Sequence, residues 1–169
     1  EIGHVHQAAI NWASSTESSN NLFSNFIIYK LGKYKSRGNG LGSVATARYA
    51  NGQAWYNMGD ATHQNEDTET HMRMNWQLWI YYHRYKTDFW QTLFKLMREV
   101  NMTEGEDPGK KQLEFAKMAS KAANQNLTDF FEMWGFFEPV NTTIEQYGTY
   151  KYYVSDAMIR EAKEYMAQF

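Results

Sequence analysis

Apolar side chains recur at the spacing of an α-helix along most of this sequence. The clearest run lies between residues 67 and 85, where Met72, Trp76, Trp79 and Ile80 fall on one side of a helix. With 169 residues the chain can build one domain with a sizeable core, and we find no internal repeat and no linker that would divide it. We therefore expect a mainly α, multi-helix fold that forms a single domain over residues 1–169.

Capping residues indicate where the helices begin and end. The predicted helices are the end of one over 1–12, a second over Thr16–Leu31 closed by Gly32, then 67–85, 87–100, one that starts at Asp107-Pro108, a short one over 129–134 capped by Thr128, and a last one after Ser155. Residues 140–154 are irregular, and a short hairpin is compatible with their pattern. The glycine-rich stretch 36–42 is expected to be an ordinary loop.

The composition excludes several classes of function. A net charge of −2 gives no electrostatic footprint for nucleic acid, and no apolar run approaches the length of a membrane span. The chain has no cysteine, so neither a disulfide framework nor a thiolate site is possible. Aromatic residues make up 17% of the chain, which suits a large helical core and also a platform for carbohydrate or peptide. The oligomeric state is not indicated.

The amino-terminal residues Glu1-Ile2-Gly3-His4 match the second half of the zincin motif His-Glu-x-x-His. In that motif two histidines on one helix face bind zinc, and the Glu takes a proton from the zinc-bound water. Glu1 would be the base, His4 a ligand, and Gly3 would let another segment approach closely. Glu17, near the start of the next helix, is the natural third ligand. The tetrapeptide alone is short, and by itself it favours a solvated Glu–His pair on a helix.

Longer stretches around this motif carry a resemblance to a known family. They are Glu-Ile-Gly-His-Val-His-Gln at the start, Thr-Glu-Ser-Ser-Asn-Asn-Leu-Phe-Ser at 16–24, Met-Asn-Trp-Gln-Leu-Trp-Ile-Tyr-Tyr at 74–82, and Leu-Thr-Asp-Phe-Phe-Glu-Met-Trp-Gly-Phe at 127–136. In this order they resemble the enhancin-like zinc metallopeptidases, which include viral enhancins and bacterial mucin-degrading proteases. The resemblance runs from residue 1 to about 138.

The resemblance implies a gluzincin-type zinc endopeptidase, secreted or at the cell surface, that acts on mucin-type O-glycosylated proteins. It implies that Glu1 is the catalytic base and that His4 and Glu17 bind Zn²⁺, within the C-terminal subdomain of a zincin catalytic domain. The first His of the motif precedes Glu1 and is not in this sequence. We therefore expect a fragment of a larger catalytic domain that by itself binds zinc weakly and is inactive. The alternative is a non-catalytic helical module that binds glycan or protein.

Other polar and aromatic side chains have both a functional and a structural interpretation. His6 lies two residues from His4 and points elsewhere on a helix, so we expect a surface or outer-shell histidine, and Gln7 a structural hydrogen-bond partner. Three side chains are candidates to donate to an oxyanion, although packing is the simpler expectation for each: His71, Tyr82 and His83. Three others are candidates to face a sugar, with the core again the simpler expectation: Trp55, Tyr56 and Trp76.

Overall fold

The computed structural model describes residues 2–32, 53–57, 68–100, 102 and 107–169. Its helices are α1 (Ile2–His6), α2 (Thr16–Leu31), α3 (Thr68–Leu78), α4 (Phe89–Glu99), α5 (Pro108–Ala123), α6 (Thr128–Met133) and α7 (Asp156–Met166), and its strands are β1 (Val140–Glu145) and β2 (Thr149–Val154). Short 3₁₀ turns lie at Ala8–Ile10 and Trp55–Asn57. The expected mainly α fold with a short hairpin is confirmed. Among the described helices, none is long and apolar enough to cross a membrane.

Local capping chemistry explains several of the observed helix ends. The Asp107 carboxylate accepts a hydrogen bond from the Gly109 backbone N–H at 2.8 Å, and Pro108 occupies the first helical position. Gly32 ends α2 in the left-handed conformation with φ of 65°. The Ser155 hydroxyl accepts from the Met158 N–H at 3.3 Å and starts α7. These three boundaries agree with the prediction.

Other boundaries differ from the sequence-based expectation. Thr128 does not cap α6; instead the Asn126 side chain accepts from the Thr128 N–H at 3.0 Å, a local turn that competes with a cap. The helix predicted over 1–12 ends at His6, and the one predicted over 67–85 changes after Leu78 to a π-helix at Trp79–His83. The glycine-rich stretch 36–42 lies outside the described residues.

Helix α5 lies at the centre of the packing. It contacts α4, α6, α7 and β2, and its Phe115 side chain is fully buried. Around it is an aromatic cluster of six buried side chains: Trp12, Trp55, Phe115, Phe131, Trp134 and Phe136. Their ring centroids lie between 4.7 and 6.4 Å apart in tilted or edge-to-face contacts. Large aromatic side chains bury much apolar area, so this cluster contributes strongly to the stability of the core.

The hairpin is antiparallel, with register from Val140 opposite Val154 to Glu145 opposite Thr149. Its buried face packs against α5, where the Tyr152 hydroxyl donates to the Gln112 side-chain oxygen. Burial raises the pKa of Tyr152 far above its usual value, so this tyrosine stays protonated and remains a donor. The turn of the hairpin, residues 146–148, extends beyond α5 towards the start of α2.

Gly135 permits a close backbone approach that no other residue type would allow. Its φ is 70°, its carbonyl accepts from the Trp55 N–H at 2.9 Å, and an added Cβ would overlap the Gln53 carbonyl oxygen. We expect Gly135→Ala to lower the free energy of unfolding by about 3–4 kcal/mol, the sum of left-handed strain and overpacking. Urea denaturation measures the loss.

Gly32→Ala is the matched control, because Gly32 has a similar φ of 65° and an added Cβ would have no atom of the described residues within 4 Å. It should cost only the left-handed strain, about 1–2 kcal/mol. Equal losses for the two variants would show that the close approach at Gly135 carries no energetic weight.

Candidate metal site

The chain reverses direction between α1 and α2 and brings two of the predicted site residues together. The His4 Nε2 atom lies 3.7 Å from Glu17 Oε1, and each side chain is about one-third exposed, at 34% and 32%. Glu17 lies in the first turn of α2, where the helix dipole favours a carboxylate. Glu1 lies outside the described residues. The structure thus juxtaposes the two residues that the resemblance implies as ligands, and leaves the implied base undescribed.

Gly3 makes the close crossing of α1 and α2 possible. A Cβ at this position would overlap the side-chain oxygen of Asn20 on α2. With hydrogen alone at Gly3, the two helices approach until the Asn20 amide lies 3.0 Å from His4 Nε2. The segment that Gly3 was expected to admit is therefore the first turns of α2.

The His4–Glu17 pair fits the chemistry of a zinc site. An imidazole nitrogen and a carboxylate oxygen are both common zinc ligands, and two ligands of a tetrahedral zinc ion lie roughly 3.3 Å apart. The observed separation of 3.7 Å is close to that value. Within the part of the chain that the structure describes, no group of three or more His, Cys, Asp or Glu side chains converges. Among the described residues, His4 and Glu17 are therefore the candidate metal ligands. A complete tetrahedral zinc site needs a further protein ligand.

Two amide side chains flank the ring of His4. Gln7 Nε2 lies 2.9 Å from His4 Nδ1, and the Gln7 oxygen accepts from the Ser19 hydroxyl at 3.2 Å. Turning the Gln7 amide over would present its oxygen to Nδ1 and its NH₂ to the Ser19 oxygen, which can also accept. In that arrangement Nδ1 carries the proton and Nε2 holds the lone pair that can bind a metal. Asn20 Nδ2, 3.0 Å from Nε2, donates to that lone pair, so the Asn20 amide would be displaced when a metal binds. Gln7 is 1% exposed, and it is the structural hydrogen-bond partner that the sequence predicted.

A residue that sequence analysis missed also contacts the pair. Tyr147, in the hairpin turn, donates its phenolic hydrogen to Glu17 Oε1 at 2.7 Å. Its neighbour Gln146 is buried, and its side-chain oxygen accepts from the Ser14 backbone N–H at 2.6 Å. Tyr147 and Glu17 are 130 residues apart, and no local pattern in the sequence connects them.

The three candidate oxyanion donors have other contacts. His71 is fully buried, with its Nε2 atom 2.8 Å from the Trp55 carbonyl oxygen. The Tyr82 hydroxyl donates to the Gln125 side chain at 3.1 Å, and partial burial raises the pKa of Tyr82. His83 stacks on Phe26, and its partial burial lowers the pKa of its ring. These contacts agree with the packing interpretation for all three residues.

The aromatic candidates also belong mainly to the core. Trp55 is fully buried, and Tyr56 is half-buried against Tyr152 at 5.3 Å between ring centroids. Trp76 is half-buried and stacks on Trp79, with centroids 4.5 Å apart and an interplanar angle of 13°. His6, by contrast, is exposed, as expected for a histidine that does not face the metal pair.

Comparison with known families identifies the family of this chain. The family model described as Peptidase M60, enhancin and enhancin-like, matches residues 1–135, a stretch that includes Glu1, His4 and Glu17. The chain belongs to this family of enhancin-like metallopeptidases. A comparison with curated proteins returns no match.

Two solved structures are similar to this enhancin-like chain over almost all of its length. One is a metallopeptidase from Bacteroides thetaiotaomicron, which is 99% identical to this chain with a TM-score of 0.92. The matched region covers 99% of this chain and 29% of the metallopeptidase. The other is a metallopeptidase in complex with Tn antigen, also 99% identical with a TM-score of 0.92, covering 100% of this chain and 32% of that one. The chain thus spans about a third of the length of the metallopeptidases that it matches.

The geometry predicts which substitutions remove metal binding. Measured in a protein extended upstream of Glu1, His4→Ala and Glu17→Ala should each weaken zinc binding by more than about 100-fold, because even outer-shell substitutions cost roughly 10–100-fold. Competition with a chromogenic chelator measures the affinity.

His6→Ala is the matched control, since His6 is an exposed histidine two residues from His4 on the same short helix. It should leave the zinc affinity unchanged. If His6→Ala lost as much zinc affinity as His4→Ala, the assignment of His4 as the ligand would be wrong.

Proposed function

We propose that this chain carries part of the active site of a gluzincin-type zinc metallopeptidase that cleaves mucin-type O-glycosylated proteins. The observation that supports it most is the approach of His4 Nε2 to Glu17 Oε1 at 3.7 Å, within the segment that matches the enhancin-like family. The position of these two ligand types on adjacent helices is the arrangement that a two-His, one-Glu zinc site needs. A secreted or cell-surface location is part of the proposal, because mucin-type substrates are extracellular.

Each residue of the site would have a separate role in zinc binding or proton transfer. Zinc, when bound, supplies a Lewis acid that polarises a carbonyl group and lowers the pKa of water. His4 and Glu17 would hold the ion, and Gln7 would fix the ring of His4 through Nδ1. Glu1, one residue before α1, would act as general base and then return the proton to the leaving amine. The buried Ser19–Gln7 hydrogen bond would orient the Gln7 amide that contacts the His4 ring.

The substrate class is supported by one of the similar structures, a metallopeptidase in complex with Tn antigen that is 99% identical to this chain. Tn antigen is a GalNAc residue on Ser or Thr, the innermost unit of mucin-type glycans. Recognition of this sugar would explain a preference for O-glycosylated peptide, because binding energy from the glycan can be used to orient the peptide bond. Non-catalytic binding of such a glycan is the alternative outcome of the experiments below.

The role of Glu1 is tested by Glu1→Gln in a protein extended upstream of Glu1. Loss of the base should reduce the cleavage rate of a mucin substrate by about 10²–10⁴-fold, while zinc content stays at the wild-type level. Cleavage is followed by gel and mass spectrometry, and zinc by elemental analysis. Full activity in Glu1→Gln would exclude it as the base; absence of both zinc and cleavage in the unsubstituted extended protein would favour the glycan-binding module.

Glycan dependence is tested with a pair of synthetic peptides that differ only by one GalNAc on Thr. The extended wild-type protein should cleave the glycosylated peptide at least about tenfold faster, since a built sugar site contributes at least 1–2 kcal/mol of differential binding. Mass spectrometry of timed samples gives both rates. Equal rates for the two peptides would remove the mucin-type substrate from the proposal while leaving the metallopeptidase activity intact.

A further inference from the structure

The phenol of Tyr147 contacts the same carboxylate oxygen of Glu17 that faces His4. Tyr147 donates to Glu17 Oε1 at 2.7 Å, and Oε1 is also the oxygen 3.7 Å from His4 Nε2. A carboxylate oxygen has two lone pairs, so one can accept the phenolic hydrogen while the other points towards a metal. The contact therefore distinguishes Oε1 from the other carboxylate oxygen of Glu17 as the one that faces both Tyr147 and His4.

The fold holds the turn in place through a buried anchor next to Tyr147. Gln146 is 6% exposed, and its side-chain oxygen accepts from the Ser14 N–H at 2.6 Å and from the Thr16 hydroxyl at 3.3 Å. Thr16 immediately precedes Glu17 in the sequence, and Ser14 lies three residues before it. These hydrogen bonds connect the hairpin turn to the segment that positions Glu17. They place the side chains of Tyr147 and Glu17 next to each other.

The backbone at this turn is in an unfavourable conformation for an aromatic residue. Tyr147 has φ of 55°, in the left-handed region that bulky residues rarely adopt. Its side chain is 80% exposed, so its hydrogen bond competes with water and adds little to folding stability. Strain together with an exposed aromatic ring is a poor arrangement for stability, and such outliers concentrate at functional sites.

We propose that Tyr147 is a positioning residue for the metal ligand Glu17. Its hydrogen bond favours the orientation in which Oε1 faces His4 over orientations in which the carboxylate turns towards solvent, so that the ligand pair is set before metal binds. Hydrogen bonds of this kind to ligating carboxylates are typical of metal sites, and their loss weakens binding. The inference rests on the proposed function, because it assumes that His4 and Glu17 are the ligands.

The test compares Tyr147→Phe with Tyr153→Phe in the full-length protein that carries this sequence. Tyr153 is an exposed tyrosine on the same hairpin, with its ring beside Lys151, and serves as the matched control. Tyr147→Phe removes only the hydroxyl and should weaken zinc binding by about tenfold, the lower end of the range for outer-shell residues. The melting temperature of the metal-free protein should not change. Chelator competition and thermal denaturation give these two quantities.

A cobalt-substituted sample provides a readout that a purely structural role would leave unchanged. The visible d–d bands of Co²⁺ depend on ligand geometry, so Tyr147→Phe should shift them, whereas Tyr153→Phe should reproduce the wild-type spectrum. Zinc affinity within about twofold of wild type and an unshifted spectrum in Tyr147→Phe would overturn the inference.

Glu17→Ala separates failure of the inference from failure of the proposed function. If Glu17→Ala loses zinc while Tyr147→Phe keeps it, Glu17 is a ligand and Tyr147 does not position it. If Glu17→Ala keeps zinc, the ligand assignment itself is wrong and the inference is overturned with it.

Discussion

The packing of Trp12 in the aromatic cluster determines how α1 and α2 meet. Trp12 lies in the turn between the two helices, and its ring contacts Phe115 of α5 at 5.3 Å and Phe136 at 6.3 Å. Because the turn is anchored in the core at this point, the chain reverses over a fixed short path, and His4 and Glu17 come to face each other. The distance between His4 and Glu17 therefore depends on packing in the core as well as on contacts within the site.

The beginning of α2 combines this anchorage with an unusual amount of buried polar surface. Ser15, Ser18 and Ser19 are each fully buried, and hydrogen bonds connect Ser15 to Ser18 and Ser19 to Gln7. Buried hydroxyl groups stabilise a fold only when they are paired, and a paired network permits few alternative arrangements. An apolar face at the same place would pack well, but it would offer no hydrogen bond to orient the ring of His4.

The hairpin contributes to both the core and the site. Its buried face covers α5, while its turn brings Gln146 and Tyr147 to the first turn of α2. The register of the two strands fixes where the turn lies, and therefore where Gln146 and Tyr147 meet α2. The pairing of Val140 with Val154 thus has consequences for Glu17, although neither valine is near the carboxylate in sequence.

The sequence by itself determined the helical class and the boundaries that depend on local hydrogen bonds, such as Asp107 before α5 and Gly32 after α2. It also identified Glu1, His4 and Glu17 as site candidates, because a motif with fixed spacing and a family resemblance carry that information. The tertiary structure alone decided that Tyr147 reaches Glu17 and that α3 continues as a π-helix. Local preferences arise from neighbours within a turn or two, whereas a contact across 130 residues depends on how helices and hairpin pack around α5, and no short pattern encodes that packing.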